Sequence, residues 1–526
     1  MVVCAALASA PRAAAADGEP IAWRACGGGF DCARFAVPLD YDDRGGKSIE
    51  LALIRLPATD QDARIGSLFA NPGGPGASGV EFVRAWARGL ADEVRAKFDI
   101  VGWDPRGIGE SSPVSCNDNL KALISIDLAP DSEAEFDAFA REQRSLNELC
   151  AARHGDILPH LGTNDVARDL DRMRQAVGDP GLTYVGYSYG TEIGQAYAAL
   201  FPGNVRAMVL DGAVDLAQDP DTRTLVQAAG FERALANFLA DCAERSCIEG
   251  YADPAEGVRE LLRRADAGPI PARTADRPAR EGEAFYGLIT PLYQRLAWGI
   301  LGRAISEALE GDASRLVQLT DTYFDRQRDG RYSNQFEANL AVNCVDQAAT
   351  KLPTTWPAYQ ESAARFALTA PTFGAYVANG LFCDRWGAKP DPLGPASGYS
   401  GPPLVVVSTT GDPATPYEWG AAVAEQLGAS LITFGGEGHT AYGRDDCVDG
   451  LVNAYLLRLE TPGTARCGSD APVPESVEAR PPATSPALDP GGRSPAAALV
   501  VALALALVAA FAGVAFWAKW RRDGRI

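Results

Sequence analysis

The sequence predicts an α/β fold, a doubly wound, mostly parallel sheet with helices on both faces and a mainly helical unit inserted into it. Three observations carry this. From residue 49 to 213 short apolar runs alternate with helix-length stretches, the pattern of strand–helix–strand units. Four of those runs, 66–70, 98–103, 182–186 and 205–210, end in turns containing Gly, Pro or Asp, where loops at strand C-termini build ligand sites. Strand signals then vanish for some 180 residues and return at 404–408 and 431–434.

At 526 residues the chain exceeds a single ordinary domain, so a large core with an inserted unit is expected. The core spans residues 20–216 and 399–467. The interval 217–398 reads as a cap, because its apolar residues recur at helical spacing, as in 226–239 and 284–309. A helix at 446–459 closes the core.

Both ends address the chain to a membrane. Residues 1–16 are Ala-rich and end in Ala14-Ala15-Ala16 before Asp17, which fits the small-residue cleavage site of an export signal; no Lys or Arg precedes Arg12, so the given start is expected to lie inside that signal. Residues 496–518 form an uninterrupted apolar run long enough to span a bilayer as a helix. The tail 519–526, with Lys519, Arg521, Arg522 and Arg525, stays cytoplasmic by the positive-inside rule, which puts the catalytic body outside. Between body and span, residues 468–495 are rich in Pro, Ser and Ala and read as an extended spacer.

A formal net charge of −20 without any basic stripe argues against a nucleic-acid partner. Setting aside Cys4, ten cysteines remain, in near-neighbour couples. The simplest framework pairs them in order as Cys26–Cys32, Cys116–Cys150, Cys242–Cys247, Cys344–Cys383 and Cys447–Cys467, which suits an oxidising compartment, although sequence leaves connectivity open. There is no Cys-x-x-Cys and there are only 3 histidines, so no metal and no organic cofactor is expected. Oligomeric state is not legible.

The strongest chemical signal is Gly186-Tyr187-Ser188-Tyr189-Gly190, placed after a short apolar strand and before a helix. Glycines two residues before and after the serine permit the tight turn of a nucleophile elbow, which exposes the hydroxyl. A serine hydroxyl needs a base. Of His154, His160 and His439, only His439 lies in a flexible Gly-rich loop after the last core strand, the position that completes a Ser, Asp, His chain order. Asp412, in the turn after the strand at 404–408, is the chosen acid to orient the imidazole; Asp211, after the strand at 205–210, is its rival, and Glu437 is too close to His439 along the chain. Asn71-Pro72-Gly73-Gly74-Pro75-Gly76 has a backbone free to approach a substrate, so the amides of Gly74 and Tyr189 are the expected oxyanion donors. Asp104-Pro105-Arg106-Gly107 reads as a structural loop packed near that turn.

Together, Asn71 to Gly76, Asp104 to Gly107, Gly186 to Thr191, Gly411-Asp412 with Pro416, and Gly438-His439 resemble the tripeptidyl aminopeptidase and proline iminopeptidase group of α/β-hydrolases, in particular actinobacterial secreted or surface-bound serine peptidases. Asn343-Cys344-Val345-Asp346 and Cys383-Asp384-Arg385-Trp386 look like that group's cysteine-bearing cap segments. The resemblance implies a triad of Ser188, Asp412 and His439 and removal of short peptides or single residues from free N-termini, with peptides as partners. It also implies an anionic anchor for the substrate α-ammonium, for which Asp346, Asp384 and Glu192 are the candidates. The same triad serves an esterase or lipase equally well.

Overall fold

The computed structural model describes residues 19–43, 45–116, 120–347, 351–469 and 473–474. The expected export signal, the membrane span, the basic tail and nearly all of the spacer lie outside the described residues. Among the described residues no helix is long and apolar enough to cross a membrane.

One ten-stranded sheet forms the core, in the order β1-β2-β3-β5-β4-β6-β7-β8-β9-β10. The strands are β1 (Arg24–Gly27), β2 (Phe30–Pro38), β3 (Ser48–Leu56), β4 (Gly66–Asn71), β5 (Phe98–Trp103), β6 (Leu182–Tyr187), β7 (Val205–Asp211), β8 (Val405–Gly411), β9 (Ser430–Glu437) and β10 (Ala465–Gly468). From β5 through β4 and β6 to β10 every pairing is parallel, whereas β1, β2 and β3 add antiparallel strands at one edge, with β3 pairing antiparallel to β5. Strands β4, β5 and β6 are buried at every residue. A strand covered on both faces needs no polar alternation, which is why these read as continuous apolar runs.

Helices α1 (Gly79–Trp86), α2 (Asp92–Lys97), α3 (Leu120–Ile124), α4 (Glu133–His154), α5 (Thr163–Ala176) and α6 (Gly190–Leu200) precede β7. Between β7 and β8 the described residues form the helices α7 (Pro220–Arg245), α8 (Pro254–Ala267), α9 (Glu281–Leu292), α10 (Trp298–Leu309), α11 (Ser314–Tyr323), α12 (Gln335–Asp346) and α13 (Trp356–Ala367), with short 3-10 turns. Then α14 (Tyr417–Leu427) and α15 (Asp446–Arg458) complete the core. The stretch 284–309 is not one helix. It breaks after Leu292, with Pro291 in the last turn and a 3-10 turn at Arg295–Ala297.

A helix that precedes β6 also packs against those between β7 and β8. The ring of Phe136, on α4, packs against those of Trp356 and Tyr359 on α13, and Arg144 of the same helix is ion-paired with Asp384 at 2.6 Å. Five disulfides join the ten described cysteines in chain order: Cys26–Cys32, Cys116–Cys150, Cys242–Cys247, Cys344–Cys383 and Cys447–Cys467.

Candidate active site

Ser188 follows β6 and precedes α6, with φ of 54°, a left-handed conformation that a non-glycine residue holds only under constraint from its surroundings. Those surroundings are visible. The Ser188 amide donates to the carbonyl of Asp211 at the end of β7 (2.9 Å), and the Thr191 amide and hydroxyl donate back to the Ser188 carbonyl at 2.7 and 2.6 Å. A side chain at Gly190 would fall 2.7 Å from the Asn71 carbonyl oxygen, so only glycine lets the elbow sit against β4.

His439 and Asp412 meet directly. Nδ1 of His439 lies 2.9 Å from both carboxylate oxygens of Asp412, and both side chains are buried. The carboxylate is held by four further donors: the amides of Ala414 (2.9 Å) and Thr415 (2.8 Å) on one oxygen, the Thr415 hydroxyl (3.0 Å) and the Thr440 amide (3.2 Å) on the other. With Nδ1 committed to Asp412, Nε2 is the nitrogen left for chemistry, and it is buried without a hydrogen-bond partner among the described residues. The imidazole stands over Gly212, where an added Cβ would lie 3.3 Å from Cε1; Gly212 directly follows the Asp211 carbonyl that holds the Ser188 amide. Elbow and imidazole are thus brought to the same strand end.

Asp211 occupies the neighbouring strand end but does not touch the imidazole with a hydrogen bond. Its carboxylate accepts the amides of Ala441 (3.2 and 2.9 Å) and Tyr442 (2.7 Å), which fastens the loop after His439. Burial pushes its pKa up to about 7, against the lowering effect of those amides and of Arg444. The Arg444 guanidinium donates to the His439 carbonyl at 2.6 Å.

The glycine loop lies against the elbow. A Cβ on Gly73 would be 2.5 Å from the Tyr187 carbonyl oxygen and 3.0 Å from the Tyr189 amide nitrogen, an approach that only a bare backbone allows. Asn71 Oδ1 takes the Gly73 amide (2.9 Å), while among the described residues neither the Gly74 nor the Tyr189 amide donates to a protein acceptor. Tyr189 directly follows Ser188, and Gly74 directly follows Gly73, whose added Cβ would lie 2.9 Å from Ser188 Cβ, so both uncommitted amides belong to segments that meet at the serine, as a developing oxyanion requires. Asp104 secures the loop's exit by accepting the Ser78 hydroxyl (2.6 Å) and the amides of Val80 (3.1 Å) and Glu110 (2.9 Å).

The three candidate amine anchors have different surroundings. Glu192, one helical turn after Ser188, is buried, with Arg223 at 3.9 Å as its charged partner among the described residues; burial pushes its pKa up to about 7 and Arg223 opposes this. Asp346 has both oxygens engaged by Thr163, through the amide (2.7 Å) and the hydroxyl (2.6 Å), and burial raises its carboxyl well above the usual range. Asp384 is committed to Arg144, and none of its hydrogen bonds reaches the elbow.

Several contributors were not read from the sequence. Thr415 bonds Asp412 and lies 3.2 Å from Nδ1 of His439; its position three residues after an Asp in a Pro-containing turn is a turn signal that was there to find. Nothing local marks Tyr293. Its carbonyl accepts the His439 amide (2.9 Å), its ring meets the imidazole edge-on at 5.5 Å between centroids, and Gln294 bridges Gly438. Gln227 of α7 likewise donates to the Ala414 carbonyl in the acid's loop (2.6 Å).

A family model for the alpha/beta hydrolase fold matches residues 67–445. The chain is 40% identical over 484 residues to serine protease Hip1 of Mycobacterium tuberculosis, covering 86% of this chain and 91% of that protein. It is 38% identical over 469 residues to carboxylesterase B of the same species, covering 83% and 86%, and 33% identical over 470 residues to tripeptidyl aminopeptidase of Streptomyces coelicolor, covering 85% of each.

Proposed function

The chain belongs to the alpha/beta hydrolase family, and from that premise we propose that it is a serine peptidase, specifically an aminopeptidase that releases tripeptides or shorter pieces from free N-termini. The observation that carries the serine chemistry is the buried Asp412–His439 pair with Nε2 unpaired, set over the strand end that also holds the Ser188 elbow. Nε2 takes the Ser188 proton as Oγ bonds to the scissile carbonyl carbon. The oxyanion is received by the amides of Gly74 and Tyr189, and the imidazolium returns its proton to the leaving amine as the C–N bond breaks. Water, deprotonated by the same nitrogen, then clears the acyl-enzyme. None of these steps uses a metal.

Preference for a free amine is supported by Glu192, a buried carboxylate near the nucleophile whose countercharge, Arg223, is not in hydrogen-bond contact. The relatives' names support peptide substrates, and carboxylesterase B keeps an esterase reading alive, because the triad does not distinguish ester from amide. Export and tethering by residues 496–518 rest on the sequence and are supported by five disulfides, which persist in oxidising compartments.

The test is release of p-nitroaniline from tripeptide and single-residue substrates, free and N-acetylated, by the chain with Ser188 intact or replaced by Ala. Serine-dependent cleavage of free-amine substrates alone supports the aminopeptidase. Turnover of simple esters without peptide cleavage makes it an esterase, and loss of activity to a chelator overturns the mechanism.

A further inference from the structure

We infer that the cap helix α12 sets the oxyanion site from both sides, with Asn339 positioning the Gly74 loop and Asp346 positioning Tyr189. The inference rests on the serine-hydrolase reading of the site and adds two positioning residues to it, neither of which meets the reacting atoms.

Asn339 and Asp346 are seven residues apart, two helical turns, and so share one face of α12. At the first, the Asn339 side-chain amide donates to the carbonyl of Pro75, the residue after Gly74, at 3.1 Å. Gly76 seats this end of the helix, since a side chain there would clash with the Gln335 carbonyl. The Asn339 amide is itself oriented: its oxygen accepts from Asn343 Nδ2 (3.2 Å), and the Asn343 oxygen accepts from Gln347 Nε2 (3.1 Å). Residues spaced by four along a helix are neighbours, so these three amides form a line whose NH2 groups all donate toward the glycine loop.

At the second position, Asp346 grips Thr163 through two hydrogen bonds, and the Tyr189 hydroxyl lies 2.5 Å from Thr163 Oγ1. With the threonine hydroxyl donating to Asp346, its oxygen is left to accept from Tyr189. This relay is buried throughout, and a relay of hydrogen bonds in a low-dielectric interior holds its geometry stiffly. Gly162 admits the helix here, as a Cβ on it would lie 2.8 Å from Val345 Cγ1 and 3.1 Å from Asp346 Oδ1. The helix end is tied down in turn by the Cys344–Cys383 disulfide and by the amides of Asp391 and Leu393, which donate to the carbonyls of Val345 and Asp346.

One helix therefore grips the residue next to one oxyanion donor and, through Thr163, the side chain of the other. Oxyanion donors stabilise the transition state only when aimed at where the charge develops, so small changes in direction lower kcat before they alter substrate binding. A carboxylate that instead bound the substrate ammonium would act on KM, and only for substrates carrying a free amine.

The experiment measures Asn339→Asp, Asp346→Asn and Thr163→Val on two probes, a tripeptide p-nitroanilide with a free N-terminus and p-nitrophenyl acetate, which has no amine. Thermal unfolding is followed in parallel. We expect each variant to lose about tenfold or more in kcat on both probes with KM little changed, at a temperature where it is fully folded. Wild-type kcat on p-nitrophenyl acetate in folded Asn339→Asp and Asp346→Asn overturns the inference. A rise in KM confined to the free-amine peptide in Asp346→Asn assigns that residue to amine binding and overturns its positioning role. Should Asn339→Asp fail to fold, Thr163→Val, which introduces no charge, still decides the Tyr189 half. Ser188→Ala separates the two levels: if it keeps hydrolysing p-nitrophenyl acetate, the reading of the site fails, whereas an inactive Ser188→Ala beside unaffected cap variants fails the inference alone.

Discussion

His439 Nδ1 lies 2.9 Å from each carboxylate oxygen of Asp412, while Asp211, one strand away, gives its carboxylate to the amides of Ala441 and Tyr442. Asp211 ends β7 and Asp412 directly follows β8, both beside the imidazole loop, and both are buried. Only Asp412 can fix the imidazole tautomer; Asp211 fixes the loop that carries it.

Asp412→Asn should therefore cost about 10³- to 10⁴-fold in kcat, because an amide at this position stabilises the wrong tautomer and cannot balance the imidazolium. Asp211→Asn should cost far less, since one oxygen still accepts a loop amide. Steady-state kinetics on one p-nitroanilide substrate ranks the two; a larger loss in Asp211→Asn would make Asp211 the acid.

Thr415 is expected to behave as a brace of the acid. Its hydroxyl bonds the Asp412 carboxylate at 3.0 Å, a hydrogen bond to a charged group worth about 1.5 to 3 kcal/mol. Thr415→Val keeps the shape and removes the bond, so we expect about a tenfold or greater fall in kcat with an unchanged substrate KM.

Glu192 makes a pH prediction whose sign is fixed. Its folded-state pKa, about 7, is above the value of 4.5 for an unburied carboxyl, so the folded chain binds this proton more tightly. The stability it contributes is complete below about pH 4.5 and is lost as pH rises toward 7. Glu192→Gln should unfold at a higher temperature than wild type at pH 8 and at a similar one at pH 4.5. As an amine anchor, ionised Glu192 should also make KM for free-amine peptides rise as pH falls below 7 in wild type, and Glu192→Gln should flatten that dependence.

Disulfide removal should be graded by loop length. Cys344–Cys383 and Cys116–Cys150 close separations of 39 and 34 residues, for which loop-closure entropy predicts about 4 kcal/mol each. Cys26–Cys32 and Cys242–Cys247 close only 6 and 5, for which about 2 kcal/mol is expected. Paired Cys→Ser variants in chemical denaturation test the order. Loss of Cys344–Cys383 should also lower kcat, because that bond ties α12.

The parallel strands were legible because burial on both faces removes polar alternation, and the elbow because a strand, a tight turn and a helix are all written within about fifteen residues. The antiparallel edge β1–β3 and the short β10 were not separately read. Arg24–Gly27, exposed at every residue, carries no apolar signal, and β10 is only four residues long. The break after Leu292 was hidden inside a continuous helical periodicity, yet it presents Tyr293 to His439. In the sequence Asp384 stands out only by its place beside a cysteine; its partner Arg144 lies 240 residues away, beyond any local pattern.

The sequence by itself determined the parallel core, the helical interval within it, the elbow at Ser188, and the turns that carry Asp412, His439 and the glycine loop. Each is set by a few consecutive residues whose backbone preferences and apolar spacing are local properties. Only the tertiary structure decided which aspartate meets the imidazole, which carboxylates are already engaged, and that one helix, α12, bonds both Pro75 of the glycine loop and Thr163, the partner of the Tyr189 hydroxyl. Those relationships join groups as far apart as Pro75 and Asn339, 264 residues along the chain, and they arise from how close-packed layers settle against one another, information that no single stretch of sequence contains.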